Sequence, residues 1–206
     1  MIRFLTRHMA RRSTAAASEA RVAIRGARTL ATAGVVIAGL CHALIAQTPA
    51  PAPVDRKALL DAARDIMTKA GICSVITVDD TGRPQARAID VFPPDEQMVV
   101  WFATNPKTRK VAQIKKDPRV TLYYYNPAAM EYVTLFGRAR LVADPAEKQK
   151  RWKDSFRAFW PDRGEGYLLV EVTPERLEVV SPTRKIFNDP VTWQPLAVTF
   201  EPVRRK

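Results

Sequence analysis

Residues 98–125 read MVVWFATNPKTRKVAQIKKDPRVTLYYY, and this stretch decides the fold. Its first six residues are nearly all apolar, which predicts a short, buried, central strand over 98–103. Asn105-Pro106-Lys107 is a turn, because proline disfavours a helical residue before it. Residues 108–116 carry helical spacing with Val111, Ala112 and Ile114 inward, and Asp117-Pro118 stops that helix. Residues 120–125 are dominated by β-branched and aromatic side chains, which predicts another strand.

The same reading extends outward. Upstream, Asp55 is placed to cap a helix reaching about Ala70, with Leu59, Leu60, Ala63, Ile66 and Met67 on one face and Gly71 at its end. Residues 73–78 and 85–92 read as strands around a turn at 79–82. Downstream, residues 132–142 form a strand. Residues 144–160 predict an amphipathic helix capped by Asp144, with Pro145 first and Trp152, Phe156, Phe159 and Trp160 inward. Strands follow over 167–172 and 177–180, with a last one at about 196–200. Consecutive short strands with tight turns, few helices and no repeat imply a mainly β antiparallel barrel or sandwich. The sequence has no GxGxxG, so a dinucleotide-binding βαβ unit has no support.

Charge and composition divide the chain at about residue 53. The net charge is +12, and half of it comes from seven Arg against one Glu in residues 1–53. Within that segment an apolar run, LATAGVVIAGLCHALIA over 30–46, follows the Arg-rich start and precedes a Pro/Ala linker. This pattern predicts an export signal, giving a periplasmic or secreted protein. An uncleaved membrane anchor, a lipoprotein signal on Cys41 and a transit peptide are the rival readings. Residues 54–206 are the expected functional domain. They hold one cysteine, Cys73, and no histidine, which excludes an internal disulfide and any histidine-based triad or metal ligand. No metal site is expected, and the catalytic residues stay unassigned. Redox chemistry in this domain would have to come from a cofactor.

Thr108, Arg109 and Lys110 sit where the helix over 108–116 begins, and exposed N–H groups there favour an anion. An Arg fork, a Lys point charge and a Thr hydroxyl make a phosphate clamp, with Arg87 on an earlier strand able to close on it. A solvated basic helix start accounts for the same residues equally well on local physics. Trp152, Phe156 and Trp160 read as helix core, Tyr123–Tyr125 as strand packing, and Cys73 as a buried small side chain.

The order of Arg87, then Phe-Ala-Thr-Asn, Thr-Arg-Lys, Gln-Ile, Asp-Pro-Arg-Val and later Phe136-Gly-Arg-Ala139 resembles the pyridoxamine 5′-phosphate oxidase superfamily. The nearer likeness is to its general-stress-protein branch of FMN-binding split barrels, over roughly residues 58–180. The resemblance implies a six-stranded antiparallel Greek-key split barrel with flanking α-helices, forming a homodimer with FMN between subunits. It implies that Arg109 and Lys110, with Thr108, hold the FMN phosphate. It further implies that Arg87, Ala88 and Ile89 line the flavin, that Thr104 touches it, and that Tyr132 stands where the oxidases place a Gln near the ring. Phe92 replaces a Lys of the oxidases, and the tail lacks their pyridoxal-binding Trp, Arg and His pattern. The expected function is therefore FMN-dependent redox chemistry other than pyridoxamine phosphate oxidation. The alternatives are a non-catalytic flavin-binding stress or carrier protein, or a deazaflavin or haem in the same groove. A nucleic-acid partner rests only on charge and the tyrosines and is not expected.

Overall fold

The computed structural model describes residues 54–161 and 166–201. The export, anchor and cleavage expectations for residues 1–53 lie outside these residues. Helix α1 (Arg56–Ala70) buries Leu59, Ala62, Ala63, Ile66 and Met67, while Leu60 is only partly buried. Burying side chains such as Ile66 and Met67 contributes roughly 1.5–3 kcal/mol each. Asp55 occupies the N-cap position, but its side chain makes no capping bond. Gly71 ends the helix at φ 63, a left-handed conformation in which a Cβ would be strained.

The strands are β1 (Ile72–Val78), β2 (Pro84–Asp90), β3 (Val100–Thr104), β4 (Arg119–Asn126), β5 (Glu131–Val142), β6 (Leu168–Val180) and β7 (Leu196–Thr199). They form one antiparallel sheet in the order β2-β1-β4-β5-β6-β3, with β7 also on β6. A bridge between Val91 and Phe102 joins the extension of β2 to β3, so the path closes on itself as a barrel. Its interior holds Val75, Phe102, Leu122, Leu135, Val172 and Leu177, together with Ile66 of α1 and Ile114 of helix α2 (Arg109–Lys116).

Several expectations change. The strand expected at 98–103 starts only at Val100, because Met98 turns at φ 64. It is not flanked by full ladders on both sides: it pairs with β6 and meets the β2 side only through the Val91–Phe102 bridge. The strands expected at 167–172 and 177–180 are one, β6, whose ladder with β5 shifts register between Phe136 and Gly137. A Cβ on Gly137 would come within 2.4 Å of the Thr173 carbonyl oxygen, so glycine is what lets the strands approach there. Ala112 is exposed, and only Val111 and Ile114 anchor α2.

The helix expected over 144–160 is broken. Helix α3 (Pro145–Lys150) keeps the Asp144 cap, which accepts from the Glu147 N–H, and a separate 3-10 turn spans Asp154–Ala158. Lys153 between them is extended, with its ammonium on Asp90 (2.7 Å) and on the Val91 carbonyl (3.0 Å). Arg151 lies over the Trp101 ring at 3.7 Å. These long-range contacts outweigh a local helical preference that is weak for the aromatic residues. Phe156 is buried among Phe92, Trp152, Trp160 and Tyr167, whereas Phe159, expected inward, is exposed.

Candidate functional site

Where β3 ends, buried Thr104 leads into a turn whose bonds are local. The Asn105 side-chain oxygen accepts from the Lys107 N–H at 2.8 Å, and the Asn105 carbonyl accepts from the Thr108 N–H and hydroxyl at 3.2 and 2.9 Å. Thr108 is the extended N-cap of α2, yet its hydroxyl does not cap the helix. The first N–H groups of α2 therefore keep their capacity for an outside acceptor.

Docking of Val111 and Ile114 turns Lys110 and Gln113 toward the barrel wall. The Lys110 ammonium donates to Thr104 Oγ1 at 2.8 Å and reaches Thr108 Oγ1 at 3.4 Å. The Arg87 guanidinium donates to Thr77 Oγ1 at 2.6 Å and to Gln113 Oε1 at 3.1 Å, and Thr77 donates to the same Gln113 oxygen at 2.5 Å. Thr77 and Gln113 were not anticipated as site residues. Gln113 falls within the Gln-Ile pair of the sequence resemblance, but Thr77 joins only because β1 pairs with β2.

The electrostatics of this corner are unfavourable by themselves. Burial, then the charge of Arg109, depresses the pKa of Arg87; burial, then the charge of Arg87, depresses that of Lys110. Among the described residues no carboxylate pairs with Arg87, Arg109 or Lys110. Arg87 and Lys110, held by neutral hydroxyls and one amide, with the charge of exposed Arg109 close by, are suited to an anion. Here the structure brings together Arg87, Thr104, Thr108, Arg109 and Lys110, five of the expected site residues.

The other three behave differently. Ala88 is opposite Ser74 on the outer face of the sheet, while Ile89 pairs with Cys73 and packs against the core. Ile89 is half-buried and shares its strand face with Arg87. Tyr132 is not part of the corner within one chain. It lies on β5, three strands from β2, and pairs with Val180 at the end of β6 remote from the Thr104–Leu168 pair. Tyr132 packs against Tyr123 at 5.9 Å between ring centroids, and Tyr123, Tyr125, Met130 and Ile72 are exposed. At Phe92, the Lys153 ammonium lies 4.4 Å from the ring centroid. A cavity of about 650 Å³ around Arg138, Pro174 and Phe200 contains none of these residues.

With this geometry in place, the comparisons with known proteins agree on one family. Residues 59–181 match the family described as pyridoxamine 5′-phosphate oxidase, and the chain belongs to that family. A pyridoxine/pyridoxamine 5′-phosphate oxidase of Haemophilus influenzae (strain 86-028NP) is 34% identical over 79 residues, or 38% of this chain. The match spans only 36% of that relative's length. In fold, the chain resembles a protein from Clostridium acetobutylicum related to general stress protein 26, with TM-score 0.59 and 21% identity over 71% of this chain and 96% of that one. It also resembles a pyridoxamine 5′-phosphate oxidase-related, FMN-binding protein of Nostoc punctiforme PCC 73102, with TM-score 0.52 and 15% identity over 71% and 97%. A haem-binding protein of Mycobacterium smegmatis shares the fold with TM-score 0.51 and 18% identity over 62% and 55%. The split-barrel fold expected from the sequence is thus established, with β7 as a seventh strand beside the six of the closed path.

Proposed function

We propose that residues 54–206 bind FMN and serve as an FMN-dependent oxidoreductase that is not a pyridoxamine phosphate oxidase. The observation that carries the reading is the corner where half-buried Arg87 and Lys110 stand beside exposed Arg109 and, among the described residues, none of the three has a carboxylate partner. Arg109 and Lys110 would hold the phosphate with the first N–H groups of α2, and Arg87 would close on it, braced by Thr77 and Gln113. The flavin would supply the electron chemistry, and the chain would supply anchoring, orientation and access. Cys73 is no nucleophile, because burial pushes its thiol up to about 12.

The exposed Tyr123, Tyr125, Met130 and Ile72 beside Tyr132 support a homodimer that covers this outer face, with Tyr132 of a second copy facing the flavin. Export through residues 1–53 completes the proposal. The absence of histidine from residues 54–206 favours the alternative role, a flavin-binding stress or carrier protein without turnover.

Purification followed by visible spectroscopy and anaerobic addition of NADH or NADPH tests the reading. A flavin spectrum that bleaches and recovers with oxygen supports the oxidoreductase. A flavin spectrum unchanged by either donor or by artificial reductants supports the carrier. A Soret band, or no uptake of FMN at high micromolar concentration, refutes both.

A further inference from the structure

The open side of β2 ends in a cation that has no part in the phosphate corner. β2 pairs with β1 along its whole length, but on its other side only the Val91–Phe102 bridge reaches β3. The Val91 N–H donates to the Gly71 carbonyl at 3.2 Å, and the Phe92 N–H donates to the Trp101 carbonyl at 2.8 Å. Backbone groups alternate in direction along an antiparallel strand. Those of Ala88 and Asp90 therefore point with Phe92, away from β1, and no other strand among the described residues pairs with them. This free edge begins beside Arg87 and ends at Asp90, about 10 Å farther by the usual rise per residue.

At that end stands Lys153. Its ammonium donates to Asp90 Oδ1 at 2.7 Å and to the Val91 carbonyl at 3.0 Å, which leaves its third N–H without an acceptor among the described residues. The centroids of the Phe92 and Phe156 rings lie 4.4 and 5.8 Å from it, and the side chain keeps 24% exposure. Apolar rings around a charge weaken its screening by water and extend its reach. Side chains alternate along a strand, so Asp90 and the ammonium bound to it share the outer face with Ala88. Helix α3 stops at Lys150, and Lys153 is extended in order to make these contacts. Positions where the local pattern is overruled in this way are where functional groups are expected.

We propose that Lys153 is the cation that favours the reduced flavin, with Asp90 holding it in place and moderating its charge. The inference rests on the reading of the corner as an FMN site. With the phosphate at Arg87, Arg109 and Lys110, a ring that lies along the free edge of β2 meets the backbone of Ala88 and Asp90 and, beside them, the free N–H of Lys153. A hydride donor delivers two electrons with one proton, so a neutral ring gains one negative charge. A fixed cation next to it stabilises the charged form over the neutral one. The Asp90 carboxylate opposes that effect, because it answers part of the same charge.

The test measures the two-electron midpoint potential of the FMN-loaded full-length chain, equilibrated with a reference dye under dithionite. Lys153→Met should weaken binding of the reduced form about threefold to tenfold relative to the oxidised form, a fall of roughly 15–30 mV for a two-electron couple. Lys153→Arg should restore the potential. Asp90→Asn removes the opposing charge and should move the potential the other way. A purely structural ion pair leaves the potential unmoved in both Lys153→Met and Asp90→Asn, and a distorted site moves it in the same direction in both; either result overturns the proposal. Should Lys153→Met fail to fold, the sign of the Asp90→Asn shift decides alone. Failure of the wild type to take up FMN is a separate outcome, which refutes the FMN reading and this assignment with it.

Discussion

Two charged regions of the barrel are built on opposite plans. At the β5–β6 end, Glu131 is only 3% exposed, and its charge is met on every side. It accepts from Ser181 Oγ at 2.6 Å, from the Thr183 hydroxyl, from Arg184 at 3.3 Å and from Asn126 at 3.4 Å. Arg184 in turn meets Asp65 of α1. At the β3–α2 corner, among the described residues, Arg87 and Lys110 meet only hydroxyls and one amide, and the charges of Arg87, Arg109 and Lys110 repel one another. Charges that satisfy each other within the chain tie elements together. Charges left without counter-charge cost stability in the empty protein and are offset only when a ligand brings the opposite sign.

The strongest way to break this comparison is to remove the acid from the satisfied region. Glu131→Ala should lower unfolding stability by about 2–3 kcal/mol in urea denaturation, because it leaves the buried Ser181 hydroxyl and the Arg184 charge without their acceptor. FMN affinity should not change. Burial alone would raise the Glu131 pKa, but the Ser181 and Thr183 hydroxyls and Arg184 outweigh burial and hold it below the ordinary 4.5. Its stabilising contribution is therefore full above that pH and fades as pH falls through the lower folded value. The stability gap between wild type and Glu131→Gln should close on acidification. A gap that widens would show that the paired description is wrong.

The next largest effect belongs to the unsatisfied corner and is read in binding. Arg109→Ala should weaken FMN by roughly tenfold to a hundredfold, since a charge-assisted contact to phosphate is worth about 1.5–3 kcal/mol. Lys110→Ala should cost less, because one ammonium replaces a planar fork. Riboflavin lacks the phosphate and should respond to neither change. Equal weakening of riboflavin and FMN would dissociate these residues from the phosphate.

A smaller effect, of opposite sign to that at Glu131, sharpens the contrast. Lys110→Met removes a half-buried cation that Arg87 repels. Stability without ligand should hold or rise, by at most about 1 kcal/mol given solvent screening. A clear loss of stability would mean that the Thr104 and Thr108 contacts of Lys110 are structural. The smallest expected effect is at Cys73, which belongs to neither region. With its thiol pushed up to about 12 by burial, the native protein should show no alkylation of Cys73 by iodoacetamide at pH 8, as read by peptide mass mapping. Modification without unfolding would place Cys73 in an open site.

Much of this was legible in the chain because it is local. The apolar run before Thr104, the Asn-Pro turn and the spacing of Val111 and Ile114 are decided by neighbours a few residues away. The same short reach makes Thr108, Arg109 and Lys110 recognisable as the start of a helix. The family was legible for a related reason: the blocks that carry it lie in fixed order along strands whose alternation survives in the sequence.

What sequence reading missed depends on partners far along the chain. Thr77 joins the corner through β1–β2 pairing with no local sign of that role, and Gln113, though part of the Gln-Ile pair, is brought to Arg87 only by the docking of α2. The helix expected over 144–160 has the right caps and pattern, yet Lys153 is drawn to Asp90 at the end of β2 and to the Val91 carbonyl just beyond it, and the helix gives way. Tyr132 illustrates the same limit at the site itself. Its position in the order of motifs associates it with the flavin, but only the register of β5 against β6 places it away from the phosphate corner within one chain. Local sequence determines which segments are strands, turns and helix starts, because those choices rest on short-range sterics and periodicity. Which side chains meet, and whether a charge is answered or left open, is decided by contacts that exist only once the barrel has closed.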